Sequence, residues 1–222
     1  MKAVIFGATG MVGSGVLREC LDDPRVDAIV VIGRSAVGLT DPKLREIRHT
    51  DFLDYTSIQS EFSDCDACFF CLGVSSAGMR EDKYRRLTYD LTVAAANAMV
   101  SANPTMTFCY VSGAGTDSTE RGRVMWARVK GQTENAIRRL PFKAAYMFRP
   151  GLIIPLKGVR SKTRVYQAFY VVLRPIFPIL RRLAPRYVTT TVNIGRAMIQ
   201  VAINGYGKTI LESDDIDRLG AT

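Results

Sequence analysis

Histidine is almost missing from this chain: His49 is the only one in 222 residues, which excludes a histidine-rich metal site. Tryptophan is as scarce, with Trp126 alone. Acidic residues are missing from one long stretch. Between Asn135 and Leu211 there is no Asp or Glu, against fourteen Lys and Arg. The remainder holds sixteen basic and twenty-one acidic residues, so the net charge of +9 comes from that C-terminal stretch. Such an asymmetry predicts that this stretch faces something anionic. The opening "MKAVIFGATG" has too short an apolar run for a secretory signal. No low-complexity linker or internal repeat divides the chain. The five cysteines, Cys20, Cys65, Cys68, Cys71 and Cys109, are an odd number in apolar surroundings, which suits a reducing, cytoplasmic compartment. Three of them spell C-x-x-C-x-x-C, but no fourth ligand follows. The run "DACFFCLG" reads as a buried strand where cysteine is a small hydrophobe, and no metal is expected.

What the chain does have is alternation. Short apolar, β-branched and aromatic runs at 2–6, 27–33, 44–49, 66–72, 106–112 and 144–150 are separated by longer stretches of helical spacing, such as 81–102 and 121–140. Continuous apolar strands belong in a parallel sheet covered on both faces. Right-handed crossovers then wind helices over each side. The expectation is an α/β fold: a doubly wound parallel sheet in a single domain over 1–222. Residues 152–206 are expected to form a basic, apolar substrate-side region, with a last strand near 208–212.

Directly after the first run stand Gly7, Ala8, Thr9, Gly10, Met11, Val12 and Gly13, followed by the helix-like "SGVLRECLDD". Strand before and helix after give this loop the βαβ setting of a dinucleotide site. Gly7 permits a tight turn, Gly10 lets the backbone approach a pyrophosphate, and Gly13 allows close helix–strand packing. Unpaired N–H groups at the helix start would face the phosphates. After the second run, Arg34 and Ser35 stand where an NAD site offers a carboxylate to the ribose. A guanidinium cannot accept from ribose hydroxyls but pairs well with a 2′-phosphate. NADP(H) is therefore preferred, with NAD(H) as the alternative.

The GATGxxG loop, "DFLD" at 51–54, "CLG" at 71–73, Lys130 and "RPG" at 149–151 occur in an order that resembles the extended and atypical short-chain dehydrogenase/reductases, which bind NAD(P) on a Rossmann fold. "FFCLGVSS" and "RVKGQTENAIRRL" are similar to Tat-interacting-protein-like oxidoreductases and bacterial epimerase/dehydratase-like proteins. The resemblance implies that Asp51 and Phe52 border the adenine and that Cys71, Leu72 and Gly73 pass under its ribose. It further implies that Pro150 and Gly151 line the nicotinamide side and that Lys130 holds the nicotinamide ribose. It also implies a tyrosine four residues before the lysine, and there the chain departs. "MWARVK" carries Trp126, whose indole N–H donates a hydrogen bond but exchanges no proton at neutral pH. The serine expected after the fifth strand falls on Gly113 if "YVSG" keeps register, while a shifted register restores Ser112. Two readings stay open. One is an oxidoreductase or epimerase-like enzyme with Tyr84, Tyr89, Ser112 or water as its acid. The other is a non-catalytic NADP(H)-binding sensor or scaffold.

The stretch "VYQAFYVVLRPIFPILRRLAPR" (165–186) is interrupted too often, by Arg174, Pro175 and Pro178, for a membrane span. It reads as a cover over the substrate cleft, a core or dimer element. Alternatively 160–186 is an interfacial membrane anchor, with basic flanks suited to anionic headgroups. The same charges also suit an anionic small-molecule substrate. No nucleic-acid-binding module is present, so no nucleic acid is expected.

Overall fold

The computed structural model describes residues 1–157 and 187–221. The stretch 165–186, with the readings attached to it, lies outside the described residues. Seven strands form one sheet: β1 (Lys2–Phe6), β2 (Ala28–Gly33), β3 (Leu44–Arg48), β4 (Ala67–Phe70), β5 (Thr107–Val111), β6 (Ala144–Arg149) and β9 (Ile210–Glu212). Their order is β3-β2-β1-β4-β5-β6-β9, and every neighbouring pair is parallel. The short strands β7 (Leu152–Ile154) and β8 (Val188–Thr190) pair in parallel as a separate ribbon.

Both faces of the sheet are covered, which is why its strands read as unbroken apolar runs. Along β1 the side chains alternate. Ala3 and Ile5 join a core with Val16, Leu17 and Cys20 of α1 (Met11–Asp22) and with Ile194 and Met198 of α5 (Thr191–Asn204). Val4 and Phe6 join the opposite core with Ala95, Ala96 and Met99 of α3 (Leu91–Ala102) and Ile137 of α4 (Met125–Arg138). Each fully buried Leu, Ile or Phe in these layers contributes about 1.5–3 kcal/mol. A last helix, α6 (Ser213–Gly220), packs on α5.

Two helical expectations need adjusting. The stretch 81–102 is helical throughout, but α2 (Glu81–Arg85) meets α3 through a π-helical turn at Arg86–Asp90. Helix α4 begins at Met125 and not at 121, because Asp117 captures the preceding residues in a turn. Its carboxylate accepts from Thr119 N at 3.0 Å and from Gly122 N at 2.6 Å, while Glu120 takes a left-handed φ of 62°. An Asp that bonds the backbone two residues on competes with helix and delays its start.

Candidate cofactor site

The strand order reverses direction between β1 and β4, so the crevice beyond their carboxyl ends is the place where a doubly wound sheet receives a ligand. The glycine loop occupies it. Gly7 has φ of +75°, and a Cβ there would lie 2.7 Å from the Cys71 carbonyl carbon and 2.8 Å from Leu72 N. Only glycine lets the β1 loop and the β4 loop touch in this way. Gly10 N donates to Gly7 O at 2.8 Å, closing the turn. A Cβ on Gly13 would sit 2.2 Å from Gly7 O, so this glycine is what seats α1 against the loop. Helix α1 starts at Met11 without a side-chain cap at Gly10. Its first N–H groups thus remain available to an anion. Of the other loop residues, Ala8 is buried, and Thr9, Met11 and Val12 are half-buried.

Arg34 and Ser35 follow β2 and are both exposed. Among the described residues no acid pairs with Arg34. Arg48, which sequence reasoning passed over, ends β3 in register with Gly33 and is also exposed. Asp51 is exposed and turns its carboxylate onto Leu53 N at 3.0 Å, while Phe52 is buried edge-on to Phe6 at 6.3 Å. The single histidine fixes this corner. His49 Nε2 faces the carbonyls of Asp51 and Asp54 at 2.6 and 2.9 Å, so it carries the hydrogen. Cys71 N donates to Phe6 O at 3.0 Å, Leu72 is half-buried, and Gly73 has open space around it.

Across the sheet, Trp126, Lys130 and Glu134 follow one another at one-turn intervals on α4. The Lys130 ammonium donates to the carbonyl of Ser112, and to that of Val111 at 3.4 Å. Burial pushes this lysine down to about 8, against an opposing pull from Glu134. The Trp126 ring edge lies 3.7 Å from where a Gly115 Cβ would stand; Gly115, with φ of +84°, lets the loop after β5 pass over the indole. Ala114 N donates to Pro150 O at 2.9 Å, which ties this loop to the end of β6. Gly151 N donates to Ser213 Oγ at 2.9 Å, and a Cβ on Gly151 would lie 2.3 Å from Tyr187 O. Packing against the returning chain therefore explains this glycine.

The candidate acids fare differently. Ser112 keeps its place after β5, but its hydroxyl donates to Glu134 and lies 3.1 Å from Phe148 O. In this arrangement the hydroxyl belongs to a buried polar network with Glu134. Glu134 is fully buried and also holds Arg149, whose Nε donates to it at 3.0 Å. Burial draws the Arg149 guanidinium down, but Glu134 outweighs this and holds it above the ordinary value. Sequence reasoning missed this pair, although Glu134 is the last acid before the acid-free stretch. Tyr84 is buried, and burial raises its hydroxyl. Tyr89 lies under the Arg85 guanidinium at 4.2 Å.

The basic stretch is partly answered from within. Arg149, Lys157, Arg196 and Lys208 pair with Glu134, Glu19, Glu19 and Asp215, all acids from outside the Asn135–Leu211 window. Its excess charge is thus partly spent inside the fold. Among the described residues, no group of three or more His, Cys, Asp or Glu could hold a metal ion, and no helix is long and apolar enough to cross a membrane.

A parallel sheet with a glycine loop at its switch point, and a lysine-bearing helix beside it, defines the class as a dinucleotide-binding protein with a Rossmann-like fold. The chain belongs to the NAD(P)H-binding family, which it matches over residues 7–144. It is similar to the mitochondrial protein fmp52 of Emericella nidulans, with 30% identity over 174 residues that cover 75% of this chain and 72% of that one. It is also similar to fmp52-2 of Aspergillus terreus, at 28% over 169 residues, covering 75% and 72%. Among solved structures it resembles UDP-glucuronic acid 4-epimerase from Bacillus cereus in complex with NAD. The TM-score is 0.69 at 13% identity, over 100% of this chain and 85% of that one. The enzyme WbmH of Bordetella bronchiseptica, in complex with NAD+, gives 0.66 at 16%, over 95% and 74%. At such identities the structures establish the fold alone. The cytoplasmic expectation is corrected, since the fungal relatives are named as mitochondrial proteins. Free cysteines argue for reducing surroundings, which do not by themselves single out the cytoplasm.

Proposed function

We propose that this chain is an NADP(H)-binding oxidoreductase of the short-chain type that works without the usual tyrosine. The observation that carries the reading is the uncapped start of α1 on a loop that only glycine can form, with an unpaired Arg34 at the end of the next strand. In this reading the Gly7–Gly13 loop holds the diphosphate, Arg34 and Ser35 take the ribose 2′-phosphate, and Lys130 holds the nicotinamide ribose. Bound cofactor supplies or accepts a hydride. The substrate is a small molecule, and the basic excess of the Asn135–Leu211 stretch suits an anionic one.

Arg34→Ala tests the cofactor preference. Losing a charge-assisted hydrogen bond of about 1.5–3 kcal/mol should weaken NADPH binding about 10- to 100-fold and leave NADH nearly unchanged in calorimetry. An equal effect on both nucleotides contradicts the assignment. A second reading, a non-catalytic sensor, draws support from Trp126 in the tyrosine position and from the diverted Ser112 hydroxyl. The two part company on whether NADPH is consumed with a carbonyl compound.

A further inference from the structure

Resting on the NADP(H) reading, we propose that Lys130 is itself the proton donor of this site, a catalytic residue that replaces the missing tyrosine. Placement argues against the other side chains. The Ser112 hydroxyl is committed to Glu134, Tyr84 and Tyr110 are buried, and Tyr89 lies under Arg85. Trp126, one turn before the lysine, has only an indole N–H to offer. Lys130 is left as the group that carries a labile proton on the same face of α4.

Its surroundings suit that task. The ammonium rests on two neutral carbonyls at the end of β5, those of Val111 and Ser112, and forms no ion pair. Two other groups face it. The Tyr110 ring lies 5.9 Å away on β5, and Glu134, one turn on in α4, already accepts from Ser112 and Arg149. An ammonium taken out of water without a carboxylate of its own releases its proton readily. Its value of about 8 agrees with this.

The step balances as follows. The carbonyl carbon of the substrate gains a hydride from reduced nicotinamide. The C=O π pair moves onto oxygen, and that oxygen takes a proton from Lys130 Nζ. One N–H bond breaks and one O–H bond forms, leaving an alcohol, oxidised nicotinamide and a neutral amine. The amine then regains its proton from water.

Wild type and Lys130→Arg would be compared in NADPH binding and in NADPH oxidation with phenanthrenequinone and para-nitrobenzaldehyde, at pH values on both sides of about 8. Arginine keeps the charge but gives up no proton in this range. The expected variant retains measurable NADPH binding, loses at least about 100-fold in rate at saturating NADPH, and loses the fall in rate that wild type shows as pH rises through about 8. A substrate-independent readout accompanies this. In 13C-methylated protein, the lysine signal absent from Lys130→Arg should titrate near 8 in the wild type. Three results overturn the proposal: an ordinary lysine titration for that signal, full turnover in Lys130→Arg, or a wild type that binds NADPH but oxidises it with neither probe. A wild type that binds no NADPH removes the underlying cofactor reading as well.

Discussion

Glu134→Ala leaves two groups without their partner. The Arg149 guanidinium, 9% exposed, loses its buried carboxylate and keeps only Ser118 Oγ and Glu212 at 3.8 Å. The Ser112 hydroxyl keeps only Phe148 O at 3.1 Å. Removing one member of a buried ion pair costs about 3–5 kcal/mol, since the other charge stays behind uncompensated. In a chain of this size each kcal/mol moves the melting temperature by about 2–4 °C, so the expected drop is about 6–20 °C. The pair itself is far less valuable than this figure suggests. Replacing both charges at once is often neutral, because two desolvation penalties vanish with the attraction. Glu134→Ala with Arg149→Met should therefore lose much less than the sum of the single changes, with a coupling of about 2 kcal/mol or more. Urea denaturation of the four proteins measures it, with a constant m-value licensing the comparison. A melting point for Glu134→Ala within about 1 °C of wild type, or additive double-mutant behaviour, refutes the argument.

Gly13→Ala should destabilise by about 1–3 kcal/mol or more, because its methyl would meet the Gly7 backbone at 2.2 Å. Gly73→Ala, with open space around it, should be neutral or gain up to about 1 kcal/mol; equal melting points for the two variants contradict the loop geometry. Lys130 also predicts a pH signature. Between about 8 and its ordinary 10.5, the unfolded chain holds a proton that the native lysine has released, so this residue makes stability rise with pH in that window. Buried thiols act oppositely: burial pushes Cys65 up to about 11 and Cys71 up to about 12, so unfolded thiols ionise first above 9.0. The difference between wild type and Lys130→Met isolates the lysine and should grow in favour of wild type from about pH 8 upward; a flat difference in denaturation experiments contradicts the lowered lysine.

Most of the main sheet was legible because its strands are apolar on both faces and helices separate them. Runs such as "KAVIF" and "DAIVVIG" became β1 and β2 with ends shifted by a residue at most. The separate β7–β8 ribbon was not legible, since two three-residue strands leave no period to read and their partners are far apart in sequence. The π turn at Arg86–Asp90 inserts a register slip that apolar spacing over 81–102 does not reveal. In the site, Gly7 and Gly13 were readable because a steric demand fixes the residue type. Ser112 was not, because the direction of its hydroxyl depends on Glu134 and Arg149, on another helix and another strand. Charge counting saw the basic excess after Asn135 but could not see that distant acids such as Glu19 fold back to meet it.

The most direct test of the central claim uses the single tryptophan as its own reporter. Trp126 stands one turn from Lys130, where the nicotinamide ribose is assigned. Titration with NADPH and, separately, NADH would follow the Trp126 emission together with that of the reduced nicotinamide. The predicted result is quenching with energy transfer that saturates at lower NADPH than NADH. No change with either nucleotide contradicts the account.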